Sequence, residues 1–180
     1  DIGEPTAEEQ YMLELVNRAR ADAWAEADRL RYTDDADVVS AYSYFNVDLA
    51  EMERQFREDL QRSVQPLAMN ARLLEAARLH SLDMYNNVFQ GHESSSNSIS
   101  PNRPGDTPLI RIARQGYSAQ YYAENIFSYS RSVFYGHAGF NVDWGQGAYG
   151  MQNPPGHRET IHNADYYEAG IGIVTGQNSN

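Results

Sequence analysis

Three side chains in this sequence have the chemistry for a shared centre. They are His92 in "FQGHES", Glu124 in "YYAENIF" and His157 in "NPPGHRETIH". Two imidazoles and a carboxylate can hold zinc or another divalent ion and leave a position open for water. The same groups also form a general acid–base set. Each lies in a different segment, near the junction of a loop with a regular element. No H-E-x-x-H or other short spacing forces them together, so their meeting depends on the fold. His157 is the most firmly aimed. Pro154 and Pro155 restrict the backbone just before it, and proline suits the first helical position. "PPGHRE" therefore reads as a shaped turn feeding a short helix.

The elements that must position these residues are partly legible. Thr6 and Glu9 form a T-x-x-E capping box, and Tyr11, Met12, Leu15, Val16 and Ala19 follow at helical spacing. Residues 31–46 lose that period and read as an irregular excursion. Asp34, Asp35 and Asp37 lie there without the glycine and closing glutamate of an EF-hand loop, so they read as a solvated acidic turn. A second helix is predicted from Asp48 to Val64, with Leu49, Met52, Phe56 and Leu60 on one face and Pro66 as its stop. A third is predicted from Asn70 to Asn86. Residues 89–106, crowded with Ser, Asn, Pro and Gly, read as loop. Residues 121–130 have β-rich character. Residues 132–144 place Val133, His137, Phe140 and Trp144 on one helical stripe, weakened by Gly136 and Gly139. "YYEAGIGIVTG" (166–176) is the best strand. Few strands among long helical stretches predict helices packed on a small sheet, an α+β or three-layer fold.

Composition removes several functions. The 180 residues suffice for one domain with a real core. A net charge of −11 and a pI near 4.8 argue against nucleic acid and anionic membranes as partners, since both select a basic face. All 14 basic residues are arginine, so lysine Schiff bases and a P-loop lysine are excluded. The absence of cysteine excludes thiolate nucleophiles, cysteine-ligated zinc and disulfides. No stretch approaches the roughly 20 apolar residues of a membrane span. A start at Asp1 reads as a mature or excised fragment.

Taken in order, "EEQYMLELVNRARA", "PLAMNARLLEAARLHSLDM", "GHES", "QGYSA", "AENIF", "GHRETI" and "YYEAGIGI" resemble the CAP superfamily: cysteine-rich secretory, antigen 5 and pathogenesis-related class 1 proteins. The resemblance is to its cysteine-free bacterial branch, and Glu9, Leu13, Asn17 and Arg20 fit the pattern of its first helix. It implies one domain over residues 1–180, a three-layer α-β-α sandwich around a small, mainly antiparallel sheet. Residues 31–66 would be an elaboration before the second family helix. It also implies an open cleft lined by two histidines and two acids. His92, Glu124 and His157 match three of these. The fourth has Asp143 in "NVDWGQG" as its nearest acid and His137 as a rival occupant. Thr160 replaces the family's asparagine after G-H-R-x, and the family's further strand after E-x-G-hydrophobic-G has no counterpart in "VTGQNSN".

The implied function is an extracellular or secreted binding module. Its His/Glu cleft would take a divalent metal, zinc first and magnesium or calcium second, with a lipid, sterol or peptide ligand. The alternatives are a metal-dependent hydrolase with Glu124 or Asp143 as base and a structural domain of a larger surface protein. Outside the cleft, His80 reads as a core or boundary residue and His162 as structural or exposed. Arg158 reads as the partner of a carboxylate.

Overall fold

The computed structural model describes residues 2–177. Among the described residues eight α-helices follow one another: α1 Ala7–Ala21, α2 Ala23–Arg31, α3 Ala36–Phe45, α4 Leu49–Asp59, α5 Ala71–Asn87, α6 Pro108–Arg114, α7 Val133–Ala138 and α8 Gly156–His162. Two short strands, β1 Ala68–Met69 and β2 Glu168–Ala169, complete a helix-rich α+β chain. Among the described residues no helix is long and apolar enough to cross a membrane. The chain divides into two compact units.

The first unit holds the chain up to Leu13, Leu67–Tyr129 and the residues from Asp165 onward. The capping box forms as the sequence predicts: Thr6 N–H donates to Glu9 Oε2 (2.7 Å) and Glu9 N–H to Thr6 Oγ1 (3.2 Å). Glu9 is buried and takes a bidentate pair from Arg78 on α5. Asn70 caps α5 by accepting from the N–H groups of Arg72 and Leu73. The sheet corrects the expected mainly antiparallel arrangement. β1 and β2 run parallel, with Ala68 opposite Glu168 and Met69 opposite Ala169. Both strands lead toward α5, and the long segment between them supplies the crossover that parallel pairing requires.

The predicted strand over 166–176 is laddered only at Glu168–Ala169. Two glycines beyond the ladder explain why. A Cβ on Gly170 would stand 2.0 Å from the backbone of Leu73, and one on Gly172 would stand 2.4 Å from that of Ala77. The extended chain therefore lies directly on the α5 backbone, and Ser81 Oγ donates to Gly172 O (2.8 Å). Two residues of strand advance about 6.6 Å and four of helix about 6.0 Å, so the two glycines meet successive helical turns. Residues 121–130, read as β-rich, form no ladder. The Ser128 N–H is taken by the side chain of Gln90 (2.7 Å). The expected end of the chain in "VTGQNSN" falls in part on residues 178–180, outside the described residues.

The second unit, Glu14–Pro66 and Ser130–Ala164, is helical. The excursion predicted over 31–46 is in fact the end of α2 and all of α3. Asp35 caps α3 by accepting from the N–H groups of Asp37 and Val38, and Asn46 closes it in the left-handed region. Asp35 and Asp37 are thus helix-start chemistry, one as the cap and one in the first turn. The second predicted helix ends at Asp59 rather than Val64, because Leu60 is extended. α2 packs on α4, and Leu30, Val38, Met52 and Phe56 are fully buried. Arg20 is fully buried as well, donating to the carbonyls of Gln65 (2.8 Å), Ile161 (2.6 Å) and Asn163 (2.9 Å).

Candidate functional site

In the first unit, His92 follows α5 and Glu124 lies in the 121–130 segment. His92 Nδ1 stands 2.9 Å from Glu124 Oε1. An ionised carboxylate only accepts, so Nδ1 carries a proton, and a neutral ring in this orientation has its lone pair on Nε2. The other oxygen, Glu124 Oε2, accepts from Arg111 Nη2 (2.5 Å). Arg111 comes from α6, which Thr107 caps and Pro108 opens. His80 is buried on α5. Its Nε2–H donates to Gly91 O (2.9 Å) and stands 3.9 Å from Glu124 Oε1. Burial, and then the nearby Arg111 charge, lower its pKa. It is the core residue that its sequence context predicts. The His92 side chain remains about half exposed (55%).

In the second unit, α8 begins after the proline pair as predicted, with Pro155 at its cap. His157 N–H donates to Asp143 Oδ2 (2.9 Å), and His157 Nδ1–H donates to Asp143 Oδ1 (2.7 Å). Asp143 reaches this position through two departures from helical backbone. After α7 the chain widens into a π-helical turn over Gly139–Asp143, where Asn141 Nδ2 donates back to His137 O (3.0 Å). Asp143 then takes a left-handed conformation (φ 57°), which aspartate tolerates better than most residues. π-turns and such backbone outliers concentrate at functional sites. Phe140 lies against the His157 ring at 5.4 Å. His157 keeps 26% of its side chain exposed, while Asp143 is buried.

His137, the rival for the fourth position, is directed elsewhere. It is fully buried, and its Nε2–H donates to Glu26 Oε1 (2.8 Å). Burial alone would raise the Glu26 pKa, but bonds from His137 and Arg18 outweigh it and bring it to about 2. Asn141 links His137 to His162, whose Nε2–H donates to Asn141 Oδ1 (3.0 Å). Arg158 corrects its predicted carboxylate pairing. It is buried and donates instead to Asn141 O (2.6 Å), Val142 O (2.7 Å) and Gln55 Oε1 (2.6 Å). A cleft of about 340 Å³ in this unit is walled by Gln55, Tyr149, Gln152, Arg158 and Glu159, among others. His157 and Asp143 are not among its lining residues.

Each unit therefore holds one partly exposed carboxylate–imidazole pair, His92 with Glu124 in the first and His157 with Asp143 in the second, while the His137–Glu26 pair of the second unit is fully buried. The CAP family, described as the cysteine-rich secretory protein family, matches residues 13–180. The chain belongs to the CAP family. No curated protein and no solved structure matches it. Two residues of this CAP domain escape a reading of sequence alone. Glu26 carries a faint signal, because it shares the apolar stripe of Ala23, Ala27 and Leu30. Arg111 carries only its place amid Leu109, Ile110 and Ile112. Among the described residues, no group of three or more His, Asp or Glu side chains is placed to hold a metal ion. Within each pair the imidazole is the donor and the carboxylate its support.

Proposed function

We propose that this CAP domain is an extracellular binding module whose ligand contacts are made by the Nε2 edges of His92 and His157. One observation supports this reading. Both histidines are partly exposed, and each has its Nδ1 faced by a carboxylate. That is the outer-shell arrangement typical of a metal-ligating imidazole, where the carboxylate fixes tautomer and ring direction. The donor chemistry fits zinc better than magnesium or calcium, because both Glu124 oxygens and both Asp143 oxygens are already engaged. A cation at Nε2 would supply Lewis acidity toward an oxygen of the ligand, a lipid, sterol or peptide. The three-layer arrangement and the secreted location belong to the same proposal and rest on the family.

The engaged oxygens also weigh against the hydrolase reading. A general base must accept a proton from the attacking water, and here the carboxylates are spent on orienting histidines. The test is calorimetric titration of zinc into the wild type, His92→Ala and His157→Ala. The binding reading expects each substitution to remove heat that the wild type shows. Titration curves that neither change alters would reject it.

A further inference from the structure

We propose that Arg111 is the positioning residue of the His92 centre, holding His92 in the tautomer that places the lone pair on Nε2. The consequence for ligand affinity rests on the binding reading above, but the tautomer itself does not.

Arg111 is almost completely buried, with 1% of its surface exposed. Its guanidinium reaches His92 by two routes, one direct and one through Glu124. Nη1 donates to the His92 carbonyl (2.7 Å) and to the Asp106 carbonyl (2.8 Å). Nη2 donates to Glu124 Oε2, whose partner oxygen Oε1 faces His92 Nδ1 at 2.9 Å. Backbone and ring of one histidine are thus tied to a single rigid cation. A planar fork with five donors can span these acceptors, whereas an ammonium is one compact charge. Arginine stays charged, and the carboxylate paired with it acts as an acceptor. Nδ1 must then carry the imidazole proton.

The plainer role is closure of the 92–106 loop, to which Arg111 contributes through Asp106 O. Arg114 separates the two roles. It grips the same loop through the Asp106 carboxylate alone (Nε–Oδ2 2.5 Å, Nη2–Oδ1 2.9 Å), away from Glu124 and His92. Asp106 O also accepts from Ser94 N–H (2.9 Å).

The experiment is long-range proton–nitrogen NMR of the nitrogen-labelled chain at pH 8, with the His92 signals assigned from His92→Gln. The wild type and Arg114→Gln should both show His92 in the Nδ1–H tautomer. Arg111→Gln should show a mixture or the Nε2–H form, and zinc affinity should fall at least tenfold. Should Arg111→Gln fail to fold, Arg111→Lys decides, since lysine keeps the charge but loses the double grip; it too should lose the single tautomer. A folded Arg111 variant that retains the Nδ1–H form, or an Arg114→Gln protein that loses it, overturns the proposal. Absence of zinc binding with the tautomer still dependent on Arg111 would reject the binding reading and leave this inference standing.

Discussion

Asp143 accepts two hydrogen bonds from one residue, His157: from its backbone N–H at 2.9 Å and from its Nδ1–H at 2.7 Å. The pairing fixes both the start of α8 and the direction of the imidazole. Asparagine tolerates the left-handed backbone that Asp143 occupies, so Asp143→Asn isolates the charge. The variant should fold but lose about 1.5–3 kcal/mol, the range of a hydrogen bond to a charged group. Zinc affinity through His157 should fall by roughly tenfold or more. Urea denaturation and zinc titration of the variant check the two effects separately.

His162 should make the protein acid-sensitive. It is buried, and its Nδ1 has no partner among the described residues. Burial, helped by the charges of Arg20 and Arg158, lowers its pKa from 6.5 to about 3. Between these values the unfolded chain binds a proton that the folded chain refuses, so stability rises with pH across this window. The contribution is complete above about pH 6.5 and is lost as pH falls toward 3, an effect on the order of a few kcal/mol. Urea midpoints measured from pH 7 to pH 4 should fall steadily for the wild type. His162→Gln should show a shallower fall; an equal slope would clear His162 of any part in the acid sensitivity.

The extended segment after β2 should tolerate no side chain at its second glycine. Gly172→Ala puts a methyl group 2.4 Å from the α5 backbone, and no flexible side chain is there to yield. Overpacking of this kind typically costs about 1–3 kcal/mol, and the rigid helix backbone it meets places this change at the upper end or beyond. Thermal unfolding with matched Gly91→Ala, where the added carbon meets only the Phe89 ring at 3.6 Å, measures the difference.

Glu124→Gln separates binding from hydrolysis. A binding module has no turnover to lose, so a panel of peptides and esters with zinc, magnesium or calcium should remain uncleaved by the wild type. The variant should lose only zinc affinity, by about 1.5–3 kcal/mol, the worth of one charge-assisted bond. Metal-dependent cleavage that disappears in Glu124→Gln would establish the hydrolase reading instead.

Legibility in the sequence tracks the range of the interaction. The capping box, the body of α5, the short α8 after its prolines and the loop over 89–106 are local chemistry, and each forms as predicted. α3 is hidden because its capping aspartate sits among other aspartates that mimic a loop. β2 is shorter than its composition suggests because Gly170 and Gly172 serve helix contact rather than strand pairing. The pairing of Asp143 with His157 depends on a π-turn that no periodicity announces. The surroundings of Arg111 and Arg158 are set by acceptors outside their own helices, the His92 carbonyl and Glu124 for the first and the carbonyls of Asn141 and Val142 for the second, which leave no mark on the sequence around them. The family pattern points to His92, Glu124 and His157, but not to the proposed division of labour, in which carboxylates orient and imidazoles present.

The most direct test of that division is calorimetric titration of zinc into the intact chain at pH 7.5 and again at pH 5. Imidazole ligates only when neutral, and histidine ordinarily titrates near 6.5. Binding through Nε2 of His92 and His157 predicts measurable affinity at pH 7.5 and at least tenfold weaker binding at pH 5. Equal affinity at the two pH values, or no binding at pH 7.5, would contradict a ligand role for the two imidazoles.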